Sequence, residues 1–186
     1  MKTLKKNLNL IFWLIMSFLL FLHPECKAQV IKMTAKDLTK ESSTVLYGKC
    51  SKIKCEWNEK KDKIYTFVTI VPEEYIKGNL GSEAVIAVPG GRVGNIIYEV
   101  SEMPVFTMNE EVIAFVSKSP SGKNLVTGGF QGKMRIEKDA KTGKRVVQGY
   151  YPEDKDADAK GIDESGKPEK VSLDDFVSEL KGYVNN

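Results

Sequence analysis

Residues 44–76 read TVLYGKCSKIKCEWNEKKDKIYTFVTIVPEEYI, and they contain two long β-like segments separated by one polar turn. The segments, 44–57 and 64–76, are rich in β-branched and aromatic residues, which favour strands. The turn at 58–63 holds only polar and charged residues. Because long paired strands twist strongly, this stretch predicts a long, twisted β-hairpin.

Several shorter strands are predicted after the hairpin, because apolar segments alternate with turns rich in glycine, proline or charge. These segments cover 84–88, 96–100, 111–116, 125–136 and 145–151. Glycines inside the fourth segment indicate bulges or sharp bends. Together with one short helix near each end, the pattern predicts a mostly β domain built as a small, OB-like, closed or partly open barrel.

Both predicted helices carry N-terminal capping signals. Thr34 and Asp37 open the first helix, predicted over 33–42, and Ser172 and Asp175 open the second. An apolar stripe on the second helix should pack against the body of the domain. The stripe consists of Leu173, Phe176, Val177, Leu180 and Val184. The expected organisation is a β domain over 29–151, a charged loop or linker over 152–170 and a docked helix over 171–186.

Residues 1–28 have the layout of a removable signal peptide, with a positive start, an apolar run over 8–22 and a short polar end. Small residues at Cys26 and Ala28 place cleavage after Ala28. A retained membrane anchor would need about 20 apolar residues, which is more than the run over 8–22 provides. A lipoprotein cut before Cys26 would need small, uncharged residues where Pro24 and Glu25 stand. Export to the periplasm or the exterior is the interpretation, with anchoring and lipidation as alternatives.

Cleavage would change the charge and the chemistry of the chain. Lys plus Arg would fall from 28 to 24 and Asp plus Glu from 25 to 24, which leaves no net charge and argues against a nucleic-acid partner. The only histidine, His23, would also be lost. Its loss excludes Ser-His-Asp and Cys-His catalysis and histidine-ligated zinc. We therefore expect a protein that is not an enzyme and has no cofactor.

Two cysteines remain in the mature chain, Cys50 and Cys55. An exported protein can oxidise such a pair to a disulfide. On a regular strand, however, positions five apart lie on opposite faces and about 16 Å apart, so a bridge would need a bulge or a turn. The alternatives are a disulfide and two small residues within a strand.

Three features are candidate binding sites. An aromatic platform could form on the first hairpin from Trp57, Tyr65 and Phe67. The alternative interpretation is that these side chains serve core packing and cross-strand pairing. Arg92 stands in the turn-rich stretch PGGRVGN at 89–95, which lacks the Lys-Ser/Thr of a phosphate-binding loop and is interpreted as a hairpin or corner loop. The alternating acids are weak calcium candidates without the glycine and glutamate positions of an EF-hand. They are Asp154, Asp156 and Asp158.

Six segments together resemble a group of short exported bacterial proteins of unknown function. They are LTKESSTVLYGK (38–49), IYTFVT (64–69), EYIKG (74–78), VPGG (88–91), PVF with EEV (104–106 and 110–112), and QGKMRI (131–136). The resemblance covers most of residues 34–136. It implies export, and it carries over no catalytic residue.

The layout is similar, more loosely, to OB-type barrels such as the netrin-like domains of tissue inhibitors of metalloproteinases. The shared features are a long first hairpin, a Lys-Gly break and a returning barrel. Those inhibitors chelate the protease zinc through an N-terminal cysteine, whereas the expected mature chain begins at Gln29. The resemblance therefore implies a fold without the inhibitory mechanism.

The main hypothesis for function is an exported binding module, without catalytic activity, for a protein or a component of the cell envelope. Its contact surface would be the sheet face and loops around Trp57 and Arg92. One alternative is an inhibitor or accessory protein of an exported protease. Another is a hydrolase that uses carboxylates alone, which would require two acids from distant strands to meet in one pocket. The oligomeric state is left open.

Overall fold

The computed structural model describes residues 31–148 and 170–185. A helix, α1 (Ala35–Glu41), opens the described chain, and a second, α2 (Leu173–Asn185), closes it. A 3-10 helix covers Gly129–Gly132. The strands are β1 (Thr44–Trp57), β2 (Ile64–Lys77), β3 (Ala84–Pro89), β4 (Gly91–Val93), β5 (Ile96–Tyr98), β6 (Glu111–Lys118), β7 (Asn124–Val126), β8 (Lys133–Lys138), β9 (Arg145–Gln148) and β10 (Lys170–Ser172). The predicted mostly β fold with a short early helix and a C-terminal helix is confirmed.

Eight strands form one antiparallel sheet in the order β10-β9-β8-β6-β1-β2-β3, and β7 pairs with the end of β6. Strands β4 and β5 form a separate hairpin. The prediction was a closed or partly open barrel, and the sheet is not closed into a barrel. Strand β7 has three residues and pairs with β6, and its contact with β3 includes a side-chain hydrogen bond, from Asn124 Nδ2 to the Val85 oxygen at 3.1 Å.

The sheet buries apolar side chains on both of its faces. The outer core lies between the sheet and the two helices and consists of Ala35, Leu38, Val45, Tyr47, Ile76, Ile113, Phe115, Met134, Ile136, Val147, Leu173, Phe176, Val177 and Leu180. The inner core lies on the other face and consists of Leu46, Cys50, Val68, Ile70, Ala84, Ile86, Val88, Phe106, Val112, Ala114 and Val116. Because side chains alternate along a strand, β1 and β6 contribute to both cores.

Three bulges interrupt the pairing of β1 with β2. Ser51 on β1 and both Glu73 and Ile76 on β2 have no partner opposite them. Bulges bend a strand and increase its twist, which curls the hairpin around the inner core. Gly48 lies beside one of them, where a Cβ atom would collide with the Val71 carbonyl oxygen. The close approach of the two strands there requires glycine.

Both helices begin where the capping signals predict. Thr34 and Asp37 form a reciprocal capping box at the start of α1. Ser172 Oγ accepts a hydrogen bond from the Asp175 amide at 3.2 Å at the start of α2. The first four members of the predicted α2 stripe are buried in the outer core, but the fifth, Val184, is 37% exposed. The stripe therefore docks over its first two turns only.

Candidate binding site

The structure separates the three aromatic residues of the predicted platform. Directly opposed residues in a β-pair share a face, and Trp57 pairs with the buried Ile64 whereas Tyr65 pairs with Glu56. Trp57 therefore lies on one face of the hairpin, and Tyr65 lies on the other with Phe67. The rings of Tyr65 and Phe67 are 6.4 Å apart between centroids. The three side chains do not form one platform, because the register of β1 and β2 assigns them to opposite faces.

Arg92 lies on the exposed side of the β4–β5 hairpin. A two-residue loop at 94–95 joins the strands, which confirms the hairpin interpretation of this stretch. Arg92 is paired with Ile97, and Ile96 lies on the opposite face of the hairpin with Tyr98. Ile96 and Ile97 are 54% and 52% exposed, so both faces of β5 present apolar surface.

A cleft of about 470 Å³ lies between this hairpin and the open end of the inner core. This mouth cleft is lined by Thr66 and by residues 88–91, 98–101 and 103–106. Val88 and Phe106, which belong to the inner core, supply an apolar floor. Val105 at the rim is 80% exposed. The volume falls within the range of small-molecule sites, and the lining is a mixture of polar and apolar groups in a cleft that is open to solvent.

The hairpin is seated closely on β1 and β2. Thr66 Oγ1 donates a hydrogen bond to the Gly90 oxygen at 2.8 Å. Gly91 has a φ of +138°, and a Cβ atom there would lie 2.6 Å from Thr66 Oγ1 and 2.9 Å from Cys55 Sγ. The glycines at 90 and 91 thus let the backbone turn and approach the sheet. The hairpin wall of the mouth cleft is fixed by these contacts.

A buried ion pair holds the opposite wall of the mouth cleft. Lys133 Nζ lies 2.8 Å from Glu110 Oε1, and the two side chains are only 9% and 8% exposed. The same ammonium donates to the Val105 oxygen at 2.5 Å and lies 4.9 Å from the centroid of the Phe106 ring. Glu110 also accepts from the Thr107 amide at 2.6 Å. Lys133 therefore ties the segment that carries Val105 and Phe106 to β8.

A second cleft of about 480 Å³, with several charged and polar residues in its lining, lies on the outer face of the sheet beside the β2 bulge. Glu73, the unpaired residue of that bulge, and Glu111 of β6 both line it. Arg145 donates to Glu73 through Nη1 at 2.7 Å and Nη2 at 2.9 Å, and its Nη1 lies 3.8 Å from Glu111 Oε2. Two acids from distant strands thus meet at one cleft, around an arginine.

The electrostatics of this polar cleft give no support to acid catalysis by Glu73. The hydrogen-bonded Arg145 guanidinium holds the pKa of Glu73 below its ordinary value. A glycosidase-type general acid needs the opposite, a carboxyl whose pKa is raised so that it carries a proton at neutral pH. Burial, together with the charge of Glu73, raises the pKa of Tyr47. The arrangement is that of a fixed ion pair.

We expect replacement of Glu73 by glutamine to lower the free energy of unfolding at pH 7 by less than about 1 kcal/mol, because the pair is half exposed and screened. Since the folded pKa is lowered, this contribution is present above the ordinary pKa of 4.5 and is lost as the pH falls towards the lowered value. Urea unfolding of both forms across that range measures the difference. Glu83→Gln, at an exposed position, is the control, and a difference that persists or grows in acid would contradict the assignment.

Both cysteines are free thiols on β1. The bulge at Ser51 places Cys50 and Cys55 on the same face of the strand, whereas a regular strand would place them on opposite faces. Cys50 is buried in the inner core, where burial, followed by the charge of Glu110, raises the pKa of its thiol. Cys55 Sγ lies 3.3 Å from Thr66 Oγ1. Each thiol is used for packing in this arrangement.

The calcium candidates Asp154, Asp156 and Asp158 lie outside the described residues, as does the predicted signal peptide. Within residues 31–148 and 170–185, no group of three or more His, Cys, Asp or Glu side chains is placed to hold a metal ion. No helix in the described part of the chain is long and apolar enough to cross a membrane.

Sequence reasoning identified Arg92 but missed the mouth cleft and both charged clusters. Lys133 and Glu110 are 23 positions apart, and Arg145 and Glu73 are 72 apart. The one local signal near the mouth cleft is the apolar character of β5, which lies within the strand predicted over 96–100, whereas Val105, after Pro104, belongs to no predicted strand. Comparison with known proteins adds no relative, since no protein-family model, curated protein or solved structure matches this chain.

Proposed function

We propose that this protein is an exported binding module, without catalytic activity, that contacts a protein partner through the β4–β5 hairpin and the mouth cleft. The observation that carries the proposal is the mouth cleft of about 470 Å³, with Val105 80% exposed at its rim. The β4–β5 hairpin beside it presents Ile96 and Ile97, each more than half exposed, on its two faces. Exposed apolar surface beside a cavity is characteristic of interaction sites. Arginine, here Arg92, is enriched at such sites.

The rigidity of both walls supports recognition by a preformed surface. Gly91 and Thr66 fix the hairpin on one side, and Lys133 with Glu110 fixes the segment around Val105 on the other. A preformed site avoids the entropic cost of ordering loops when the partner binds. The lowered pKa of Glu73 also favours a binding function over hydrolysis by carboxylates alone, because a general acid needs a raised pKa.

The proposal includes export after cleavage at Ala28, based on the layout of residues 1–28. It also includes an OB-like barrel that is left partly open. Strands β1, β2, β3, β6 and β7 surround the inner core, and the bond from Asn124 to the Val85 oxygen crosses the gap between β7 and β3. Sites at the open end are common in folds of this kind.

The test is affinity capture from the native exported fraction with the processed chain, purified from cells that express residues 1–186. Mass spectrometry should give a mature N-terminus at Gln29. We expect one recovered protein or envelope component, whose capture falls at least about tenfold when Ile96→Ser and Ile97→Ser are combined. Val184→Ser is the control, since that exposed apolar residue lies on α2.

Two results would contradict the proposal: no recovered partner, or capture that the hairpin substitutions leave unchanged. Recovery of a protease would favour the inhibitor alternative. An inhibition assay with the same variants would then show whether the protein inhibits that protease through the hairpin. Recovery of a substrate that the protein cleaves would instead revive the hydrolase alternative.

A further inference from the structure

We infer that the mouth cleft binds a bulky apolar side chain from a protein segment that carries lysine or arginine next to it. This inference rests on the proposed function and specifies the chemistry of the partner. It follows from two properties of the cleft, its apolar floor and its uncompensated negative rim.

The floor and upper wall suit one apolar anchor. Phe106 and Val88 are 9% and 5% exposed, so they close the bottom of the cleft, while Met103 packs beside them on the inner core. Tyr98 continues the wall towards Ile96 on the same face of the hairpin. Binding energy in protein interfaces is concentrated where an anchor side chain fills such a desolvated pocket.

The rim carries negative charge with no local compensation. Glu99 lines the cleft and is exposed, and the residues that line the cleft include no lysine or arginine. Arg92 lies on the other face of the hairpin, paired with Ile97. Lys133 is buried and paired with Glu110. Among the described residues, the Glu99 carboxylate forms no ion pair, so it is available to a basic partner.

Charge at the rim selects between partners more than it adds affinity. Like charges placed opposite each other across an interface are unfavourable, whereas opposite charges speed association and set the register. An apolar anchor flanked by acids would therefore be rejected, and one flanked by lysine or arginine would be accepted. The other face of the hairpin, which carries Arg92 and Ile97, would contact the partner beyond the anchor.

The test is a titration of the ¹⁵N-labelled processed chain with three capped peptides, followed by NMR. The first is acetyl-Lys-Gly-Phe-Gly-Lys-amide, the second replaces both lysines by glutamate, and the third replaces phenylalanine by serine. We expect saturable shifts with the first peptide for the amides in 88–91 and 98–106, apart from the prolines at 89 and 104. The second and third peptides should bind at least about fivefold more weakly, because each lacks one of the two complementary features.

Charge reversal in the protein gives a matched control. Glu99→Lys should exchange the preference between the first two peptides. Glu83→Lys makes the same change in net charge at an exposed position outside the lining of the mouth cleft, and should leave the preference unchanged. The spectrum of each variant without peptide reports whether the fold is intact.

Several results would overturn the inference: no saturable shifts, shifts outside the mouth cleft, or equal binding of the lysine and glutamate peptides. The peptide titration tests this inference and the affinity capture tests the proposed function, so either one can fail without the other. A partner that requires Ile96 and Ile97 but tolerates charge reversal at Glu99 would remove this inference and leave the binding module intact. Absence of both a partner and peptide binding would remove both proposals.

Discussion

Replacement of Lys133 by methionine is expected to lower the free energy of unfolding by about 3 kcal/mol. The substitution removes one member of an ion pair whose side chains are 9% and 8% exposed, and it leaves the Glu110 carboxylate largely buried. Arg135, 3.6 Å away, and the Thr107 amide still contact that carboxylate, which places the cost at the low end of the range for broken buried pairs. Urea denaturation of both processed chains measures it.

Two further variants show whether the loss comes from the orphaned charge. Glu110→Gln added to Lys133→Met keeps an acceptor for the Thr107 amide and removes the charge, so it should restore at least half of the lost stability. Lys54→Met breaks a surface pair with Glu56, whose side chains are 61% and 44% exposed, and should cost less than about 1 kcal/mol. Equal losses from Lys133→Met and Lys54→Met would contradict a special role for the buried pair.

Replacement of Phe176 by alanine should lower the free energy of unfolding by about 3–5 kcal/mol. Phe176 is fully buried in the outer core, where α2 packs against the sheet and α1. The cost combines the lost burial of the ring with the cavity that the smaller side chain leaves. The same urea experiment measures the change.

Val184→Ala is the matched control for Phe176→Ala, because it lies on the same helix but is 37% exposed. It should change the stability by no more than about 0.5 kcal/mol. If Phe176→Ala cost less than about 1 kcal/mol, α2 would not be an integral part of the outer core.

The sequence predicts those features of this fold that depend on neighbouring residues. Thr34 with Asp37 and Ser172 with Asp175 mark helix starts, because a cap needs only residues three positions apart. The long hairpin follows from the composition of 44–57 and 64–76, and the turn at 139–144 from its flanking strands. Each of these depends on contacts that are local along the chain.

Features that depend on register or on distant pairs escape prediction. Nothing near Ser51, Glu73 or Ile76 announces a bulge, yet the three bulges set the curvature of the sheet and place both cysteines on one face. A shift of one position in a strand exchanges its faces, so the positions of Trp57 and Tyr65 could not be fixed from composition. The gap between β3 and β7 likewise depends on how far the sheet curls.

The candidate binding site illustrates the same limit. Arg92 and its turn were identifiable, because glycine-rich turns have a clear signature. The mouth cleft is formed by segments around 66, 90 and 104 that meet only after the hairpin curls. Val105 follows Pro104 outside every predicted strand, and its significance comes from being 80% exposed beside a cleft.

Strand β1 has a consequence for how the molecule opens. Val45 and Tyr47 face the outer core, while Leu46 and Cys50 face the inner core, so a single backbone segment is the shared wall of both. Separation of either core from this wall would remove one of the two packed faces that hold the strand in place. The two cores should therefore melt as one cooperative unit, and partial opening should be confined to elements that belong to neither core.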